Sequence, residues 1–509
     1  MRLAAALVAL VGLAMAGLVV WCVAARIPYP HELSKMEGGF VDHARWAAAG
    51  RPLYAPPSAE FVPFLYMPLA HEAAGALIRC GLDGYSAARL VSIAGILGAI
   101  AIGMALVARA TGRRALALLV PALVAARYFD VECFYDQARP DNLMACFCMA
   151  AVAALALPSA RASVLLFAAS GLLAFFTKQS SLLVLAALLA GATWARWRVA
   201  VAAGALFAAA ALPLFFWLDA GSGGWLRRYT FGIAASHDVS RSGLLALATS
   251  EFLNHFALVT AAAVVAAIAL LRARRPQVGS RDGRYFARHM ALSGALAAAA
   301  FSLASSTQVL AVRNVYVIYA VAAAAFLPIA TDAFVQRFSS ERGRRIAWTA
   351  ALLVLAVDVG RGARNPRPDD PRRDDAKNWA PAAGDLEPWD RLLATCARFG
   401  PPERTWLALH GAPWGGRAGD PFHCHFGALC DLVGGTFGKK TDLEIPADLR
   451  ERVDRQWYAS IVVEGWDERA HALIEGRYER AADVEPIRLP MFSGYGTSRS
   501  EVWVPKRAP

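Results

Sequence analysis

Long apolar runs are the feature of this sequence that most restricts its fold. Before residue 361, runs of about 16 to 24 residues rich in Ala, Leu and Val recur, each long enough to cross a bilayer as a helix. After it, the longest apolar runs are strand-sized, such as Ser460 to Val463. Only 18% of the residues are charged, whereas a soluble domain carries about 25%. We therefore predict a mainly α-helical, polytopic membrane domain over residues 1–360 and a small α/β domain over 361–509.

The distribution of charge predicts which loops face the cytoplasm. The net charge of +12 comes entirely from the membrane part: residues 1–360 hold 30 Lys and Arg against 17 Asp and Glu, and residues 361–509 hold 22 against 23. The basic clusters fall in short loops: Arg113-Arg114, Arg196 with Arg198, Arg272 to Arg288, and Arg337 to Arg345. Basic clusters in alternate loops are typical of cytoplasmic loops. Because they form no single face, they do not predict a nucleic-acid partner.

With these clusters placed inside, eleven spans are predicted. They are approximately 4–24, 87–109, 115–130, 141–157, 163–177, 180–195, 199–218, 246–271, 290–305, 313–330 and 346–360. The first run also fits a signal peptide, but its length favours an uncleaved span. In the first outer loop, 25–86, we predict an amphipathic helix from Met36 to Gly50 and an interfacial helix over 69–82, which is too short to span. This topology predicts a multi-pass protein of the cytoplasmic (inner) membrane with an extracytoplasmic C-terminal domain.

The predicted topology collects most of the distinctive polar residues on the outer side. Glu37 and Asp42 lie in the first outer loop, and Arg139 and Asp141 lie at the end of the second. Loops are polar wherever they contact water, which is a sufficient explanation for any one of these residues. It explains less well why Lys178-Gln179 interrupts a stretch that is otherwise apolar from Val164 to Leu189. Polar groups at a membrane surface are costly unless paired, so their clustering on one side is more informative than their number.

Five short motifs in order carry a resemblance to a known superfamily. They are Met36-Glu37-Gly38-Gly39, Ala49-Gly50-Arg51-Pro52-Leu53-Tyr54, Phe64-Leu65-Tyr66-Met67-Pro68-Leu69, Gln137-Ala138-Arg139-Pro140-Asp141 and Phe176-Thr177-Lys178-Gln179. Their order over about residues 30–330 resembles the GT-C superfamily of membrane glycosyltransferases, in the bacterial branch of protein mannosyltransferases and lipid A aminoarabinose transferases. The resemblance implies a sugar donor on a polyprenyl phosphate, transfer outside the cytoplasmic membrane, and inversion at the anomeric carbon.

The resemblance also implies roles for individual residues. Glu37 matches the first-loop acid that acts as base, Asp141 matches the second-loop acid, and Lys178 matches the lysine placed for the lipid phosphate. His237 falls where some relatives keep a metal-binding histidine, so a divalent metal is a possible cofactor. Relatives with that metal have a Glu-Lys pair where this chain has Tyr66-Met67, which departs from the metal-binding pattern.

The residue types fit this chemistry independently of the resemblance. An attacking hydroxyl must lose its proton, which a carboxylate within hydrogen-bond reach can accept. Glu37 is the first candidate and Asp42 the reserve, and Gly38 and Gly39 would let an acceptor approach Glu37 closely. Alternatively, Glu37 only caps the following helix. The leaving phosphate needs cations because charge develops on it. The available set is Lys178, Arg139, Arg227, Arg228 and Arg313.

The C-terminal cysteines and histidines leave three alternatives open. His423-Cys424-His425, with Cys430 and His410, has ligand types for zinc, although the spacing is tight for one tetrahedral site. Cys396, Cys424 and Cys430 could instead form a disulfide in an oxidising compartment. Buried thiols are the third possibility.

The function predicted from the sequence is a polyprenyl-phosphate-sugar-dependent glycosyltransferase. Its acceptor, whether glycolipid, polysaccharide or protein, is not given by the residues. A transporter or flippase for a lipid-linked or anionic substrate is the alternative, although transporters usually place ionisable groups near the bilayer midplane and often show inverted repeats. A structural membrane protein whose tail is the functional module is the third interpretation.

Overall fold

The computed structural model describes most of the membrane domain and a large part of the C-terminal domain. The described residues are 2–34, 36–239, 261, 264, 283–307, 313–361, 380–381, 383–409, 420–433, 443–465, 468–484 and 500–506. Only two residues of the predicted span 246–271 belong to this described part. Also outside it are His410, Arg241 and much of the Arg272–Arg288 segment.

Helices dominate residues 2–361. In chain order they are α1 (Arg2–Arg26), α2 (Glu37–Ala48), α3 (Leu69–Arg79), α4 (Gly84–Thr111), α5 (Arg114–Ala117), α6 (Leu119–Ala125), α7 (Asp141–Leu155), α8 (Ala160–Thr177), α9 (Ser181–Gly221), α10 (Trp225–Arg227), α11 (Gly283–Ser306), α12 (Val317–Val335) and α13 (Glu341–Arg361). A π-helix, Arg228–Ile233, follows α10, and 3₁₀ turns occupy Ala234–Ser236 and Arg313–Tyr316. Non-helical backbone angles at Arg196 divide α9 into two helices.

These helices confirm a polytopic membrane protein. Within the described residues, six helices are long and apolar enough to cross a membrane: α1, α4, α8, α9, α11, and α12 with its preceding 3₁₀ turn. Two shorter apolar stretches, Arg114–Ala125 and Asp141–Leu155, coincide with predicted spans. The bend at Arg196 falls between predicted spans 180–195 and 199–218. Nine predicted spans therefore correspond to these helices. The predicted span 346–360 falls on α13, which is not one of the six, so the total of eleven is confirmed only in part.

The first outer loop contains the two helices predicted for it. Helix α2 is buried on almost every side, from Glu37 to Ala47. It is therefore enclosed rather than lying with one face in water, as the amphipathic pattern suggested. Helix α3 packs against α2 and α4, and its eleven residues agree with the prediction of a helix too short to span.

The second outer loop is longer than predicted, because α6 ends at Ala125 and not at residue 130. This loop, 126–140, is held by buried ion pairs. Arg26, at the end of α1, pairs with Asp136 at 2.7 Å, and both side chains are fully buried. Arg127 pairs with Asp130 at 2.8 Å and also with Asp358 of α13. Each buried charge is costly unless it is paired, so these pairs hold the loop in one arrangement over the ends of α1 and α13.

The C-terminal domain is α/β, as predicted. Its strands are β1 (Thr405–Ala408), β2 (Ser460–Glu464), β3 (Tyr478–Val484) and β4 (Ser500–Pro505), in the sheet order β1-β2-β4-β3. The β1–β2 pair is parallel, and β4 is antiparallel to both its neighbours. The helices are α14 (Glu387–Ala397), α15 (Phe426–Val433), α16 (Ala447–Asp454) and α17 (Glu468–Ile474), with 3₁₀ turns at Ala383–Asp385 and Pro402–Arg404.

Among the described residues, the two largest apolar clusters organise the molecule. The larger fills the helical bundle, where α1 and α13 pack on one another. The second is shared between domains: Phe64 of the first outer loop and Tyr229 of the π-helix join Trp406 and Phe426 of the C-terminal domain. The C-terminal domain therefore packs directly against the first outer loop and the π-helix.

Candidate active site

The centre of the candidate site is an ion pair between Lys178 and Asp141. Helix α8 ends at Thr177, and Lys178 adopts extended backbone angles in the short connection to α9. Its Nζ lies 2.7 Å from Oδ1 of Asp141, the first residue of α7. The Asp141 side chain is 2% exposed and that of Lys178 13%. The structure therefore brings together two of the residues singled out in the sequence, Asp141 and Lys178, as a buried ion pair between two helix ends.

The surroundings of this pair join three segments that connect helices. The Lys178 Nζ lies 5.3 Å from the ring centroid of Tyr66 in the first outer loop. Gln179 Nε2 donates to the carbonyl oxygens of Leu65 at 2.6 Å and Thr230 at 2.7 Å. The connection between α8 and α9 is therefore held against both the first loop and the π-helix. Since π-helical turns are frequent at functional sites, this junction is a candidate binding site.

The charge on Lys178 is stabilised by its setting. Burial opposes the ammonium, but the Asp141 carboxylate holds the pKa of Lys178 above its ordinary value, while the nearby Arg139 charge acts in the opposite direction. Asp141 Oδ1 is occupied by Lys178, whereas its Oδ2 is buried without a hydrogen-bond partner among the described residues. The pair therefore retains polar capacity that a ligand could use.

Glu37 lies at a different junction, and its carboxylate is fully engaged. Oε1 accepts from Arg89 Nε at 3.0 Å and from Ala138 N at 2.8 Å. Oε2 accepts from Arg89 Nη2 at 2.9 Å and from Leu33 N at 2.7 Å. Burial works against the charged form, but these donors, led by Arg89, hold the pKa of Glu37 below its usual range. A carboxylate has about four acceptor positions, so no position is left for an acceptor proton.

The Asp42 carboxylate, in contrast to that of Glu37, can accept further hydrogen bonds. Its described hydrogen bond comes from Arg45 Nη1 at 3.3 Å. Burial raises the pKa of the Asp42 carboxyl to about 7, against the opposing effect of the Arg45 guanidinium. The Arg45 side chain also donates to the Asp420 carbonyl oxygen. Asp42 therefore lies where the first outer loop meets the C-terminal domain.

His43 is a structural histidine that fixes the motif around Tyr66. Its Nε2 accepts from the Phe64 backbone N–H at 2.6 Å, so its Nδ1 carries the proton donated to the Gly39 carbonyl oxygen at 2.6 Å. Burial lowers the pKa of His43 to about 4, so the ring stays neutral. It holds the Phe64–Tyr66 segment against α2.

The space beside Gly39, predicted to admit an acceptor, is filled by side chains of the protein. A Cβ placed there would lie 2.2 Å from the Phe64 ring and 3.1 Å from His425 Cγ. His425 Nε2 is also 3.9 Å from the Glu32 carboxylate. The small residue therefore lets the C-terminal domain and Phe64 close over the start of α2. It does not leave that side of the helix open to an acceptor.

Three of the other predicted cations, Arg227, Arg228 and Arg313, occupy two places. Arg227 Nε is 3.6 Å from Asp219 Oδ2, and Arg228 lies over the Trp225 ring at 5.1 Å. Both begin the turn that contains Thr230, so they border the Lys178 junction. Arg313 Nε lies 3.8 Å from Glu132 Oε1 and Nη1 donates to the Asp130 carbonyl oxygen at 3.4 Å. Arg313 is thus tied to the second outer loop.

The described residues around His237 do not fit a divalent metal. Its Nε2 lies 3.5 Å from Asp431 Oδ1, and within the described ranges no group of three His, Cys, Asp or Glu side chains could hold an ion. Two donors are fewer than zinc or calcium sites use. In the tail, His423 and His425 diverge, because the first reaches the Pro402 carbonyl oxygen and the second reaches Glu32.

All eight cysteines lie within the described residues, and none forms a disulfide. Cys396 and Cys424 are buried, and burial raises the pKa of each thiol to about 12. Of the three alternatives left open by the sequence, buried thiols are the one observed for these two residues.

One residue of the site was missed by sequence reasoning. Arg89 lies inside an apolar run assigned to a membrane span, and it is fully buried. A lone arginine within such a run is itself a signal, because an unpaired charge there is costly and its partner must be close. The sequence did not indicate that this partner is Glu37.

Comparisons with known proteins establish the fold of this chain. No family model and no curated protein matches the chain. The chain is similar to the crystal structure of ArnT from Cupriavidus metallidurans bound to undecaprenyl phosphate, with 15% identity, a TM-score of 0.50, and 97% of each chain covered. It is equally similar to apo ArnT from that organism, with 15% identity and a TM-score of 0.50 over 96% of this chain and 98% of ArnT. The chain therefore has an ArnT-like fold over nearly its whole length, as the predicted helical membrane architecture requires.

Proposed function

We propose that this chain is an inverting glycosyltransferase that moves a sugar from a polyprenyl-phosphate donor to an acceptor hydroxyl at the outer face of the cytoplasmic membrane. The observation that carries the proposal is the buried Lys178–Asp141 pair, at 2.7 Å, where three segments that connect helices meet. It occurs in the fold of a protein that has been crystallised with undecaprenyl phosphate.

Lys178 is proposed to bind the phosphate of the donor. An ammonium has three N–H donors, and the described structure uses one of them, on Asp141. The remaining donors can bind phosphate oxygens, and Arg139, whose charge acts on Lys178, adds a second cation. Negative charge grows on the phosphate as the glycosidic bond breaks, so fixed cations stabilise the transition state. Arg227, Arg228 and Arg313 are proposed as further contacts around this phosphate.

Inversion constrains where the general base can be. The hydroxyl attacks the anomeric carbon from the side opposite the leaving phosphate. Because Asp141 directly contacts Lys178, it lies beside the phosphate, and we assign it the role of holding the ammonium in place. Of the two first-loop acids, Glu37 has its acceptor positions filled and Asp42 does not. We therefore propose Asp42 as the base that takes the proton from the acceptor.

The pH dependence of transfer tests this base. With a pKa of about 7, the Asp42 carboxyl is protonated below that pH and cannot accept a proton. The rate at saturating donor is expected to fall as pH decreases through about 7, and Asp42→Asn is expected to lose at least about a hundredfold in rate. Rates measured between pH 5 and 8.5 in nanodiscs check both. An Asp42→Asn variant with normal turnover and an unchanged profile would contradict the assignment.

A transfer assay separates this function from its alternative. Purified protein in nanodiscs would be incubated with radiolabelled undecaprenyl-phosphate sugars, including hexose, pentose and amino-sugar donors, with and without a cell-envelope extract. A transferase releases undecaprenyl phosphate and labels a component of the extract. A transporter or flippase moves its substrate without cleaving it, so an intact donor in every sample would reject the proposal.

The proposed topology places the C-terminal domain outside the cytoplasmic membrane, because eleven spans from a cytoplasmic N-terminus end there. A reporter that is active only in the cytoplasm, fused after Pro509, is expected to be silent, while the same reporter inserted after Arg198 is expected to be active. If the C-terminal fusion is active, the number of spans is even and the outer-face assignment of the site fails.

A further inference from the structure

We propose that Arg89 and Glu37 form a buried clamp that positions the second outer loop, and that Glu37 acts on the reaction through Asp141 and Lys178 instead of on the substrate. This inference deepens the proposed function and rests on it. It changes the role that the sequence predicted for Glu37 from general base to positioning residue.

The guanidinium of Arg89, on α4, donates hydrogen bonds to two other segments of the chain: residues 26–31 and Glu37 at the start of α2. Nη1 donates to the carbonyl oxygens of Arg26 at 2.9 Å, Ile27 at 3.2 Å and Tyr29 at 2.5 Å. Nη2 donates to the His31 carbonyl oxygen at 2.6 Å, and Nε and Nη2 bind the Glu37 carboxylate side by side. Arginine alone offers this planar set of donors. One side chain therefore fixes the segment that leaves α1 and the start of α2.

The carboxylate of Glu37 extends the clamp to the second outer loop. Its Oε1 accepts from Ala138 N at 2.8 Å, across 101 residues of sequence. Ala138 precedes Asp141 by three residues, with Arg139 and Pro140 between them. Proline restricts the backbone on both sides of it. The anchored Ala138 therefore sets where α7 begins and where the Asp141 carboxylate meets Lys178.

The clamp does not have the properties of a general base. Both side chains are fully buried, and each Glu37 oxygen already accepts two hydrogen bonds. A base must exchange its proton with the substrate, whereas protonating Glu37 would break its bonds to Arg89 and leave a buried charge without its partner. The arrangement is that of a fixed support whose loss would displace the phosphate-binding pair.

Binding of undecaprenyl phosphate, measured with purified protein in nanodiscs, separates the two roles. A base takes no part in holding the lipid phosphate, so Glu37→Gln would leave its Kd unchanged and reduce only turnover. A positioning residue acts through Lys178, so Glu37→Gln and Arg89→Gln are each expected to raise the Kd about tenfold. The double variant is expected to raise it no further than either single variant, because the two residues form one unit.

Three further variants keep the test interpretable. Glu60→Gln changes an acid of the same loop that is half exposed and paired with Arg51 at 3.2 Å, and it is expected to bind like the wild type. Arg89→Lys keeps the charge but loses the side-by-side contact with Glu37. Its Kd is expected to lie between those of the wild type and Arg89→Gln, and it replaces Arg89→Gln if that variant does not fold. Lys178→Ala is expected to lose lipid binding.

The outcomes are distinct. A wild-type Kd for folded Glu37→Gln or Arg89→Lys would overturn the clamp, even if turnover were lost. Additive losses in the double variant would also overturn it. If Lys178→Ala binds undecaprenyl phosphate normally, the phosphate site itself is rejected, and the proposed function fails together with the clamp.

Discussion

Replacing Lys178 with alanine is expected to reduce sugar transfer at least about a hundredfold, the cost of removing one fixed donor from a developing oxyanion. Lys178→Arg is expected to lose less, because it keeps the positive charge, although its planar group cannot reproduce the 2.7 Å contact with Asp141 from the same position. The measurement is the initial rate of label transfer from an undecaprenyl-phosphate sugar at a donor concentration well below the wild-type KM, which reports kcat/KM.

A matched lysine gives the control. Lys506 is exposed in the C-terminal domain and donates to the Glu475 carbonyl oxygen, so Lys506→Ala is expected to transfer sugar at the wild-type rate. A lysine that only extends its ammonium to the membrane surface would tolerate both alanine and arginine. Near-normal rates for both Lys178 variants would therefore remove Lys178 from the mechanism.

The largest effect on stability is expected at the Arg26–Asp136 pair. Both side chains are fully buried, and Tyr128 also donates to Asp136 at 3.0 Å. Asp136→Asn would leave the Arg26 charge buried without its counter-ion, at a cost of about 3 to 5 kcal/mol. The expected result is a low yield of monodisperse protein in detergent and a lower apparent Tm, read by fluorescence-detected size exclusion on a heated sample.

The double replacement of this pair distinguishes charge from packing. Arg26→Leu with Asp136→Leu removes both charges and is expected to recover most of the lost stability, as buried pairs often do when replaced by apolar residues. Arg391→Leu breaks an exposed pair with Glu387 at 3.0 Å and is expected to change stability by at most about 0.5 kcal/mol. A double variant less stable than Asp136→Asn would contradict the charge explanation.

Much of the fold was predictable because local signals decide it. The apolar runs give the membrane helices directly, and the interruption at Lys178-Gln179 correctly indicated a special position between α8 and α9. Strand-sized runs in the tail gave the α/β domain, including Ser460–Glu464 as a buried strand. These features depend on residues close in sequence, so length and periodicity suffice to locate them.

The partners of buried charges were not predictable by the same means. Arg89 meets Glu37 52 residues away, and Arg127 meets Asp358 231 residues away. Nothing in the spacing of the sequence encodes such a pairing, which follows only from how the helices pack. The position of His425 was not predictable either. It lies beside Gly39 because the C-terminal domain packs on the first outer loop.

The packing of α1 against α13 has a consequence for how the protein is made. The two helices touch where Val11 Cγ1 lies 3.9 Å from the position of a Cβ on Gly360. On the ribosome, α13 begins more than 300 residues after α1 ends, which at about 5 to 20 residues per second means a delay of roughly 15 to 60 s. During that interval α1 has lipid in place of its last neighbour. Leu3, Leu10 and Leu13 of α1 stay exposed even in the complete structure, as apolar side chains that face lipid do. The packing of α1 in the bundle is therefore completed only after α13 has been synthesised.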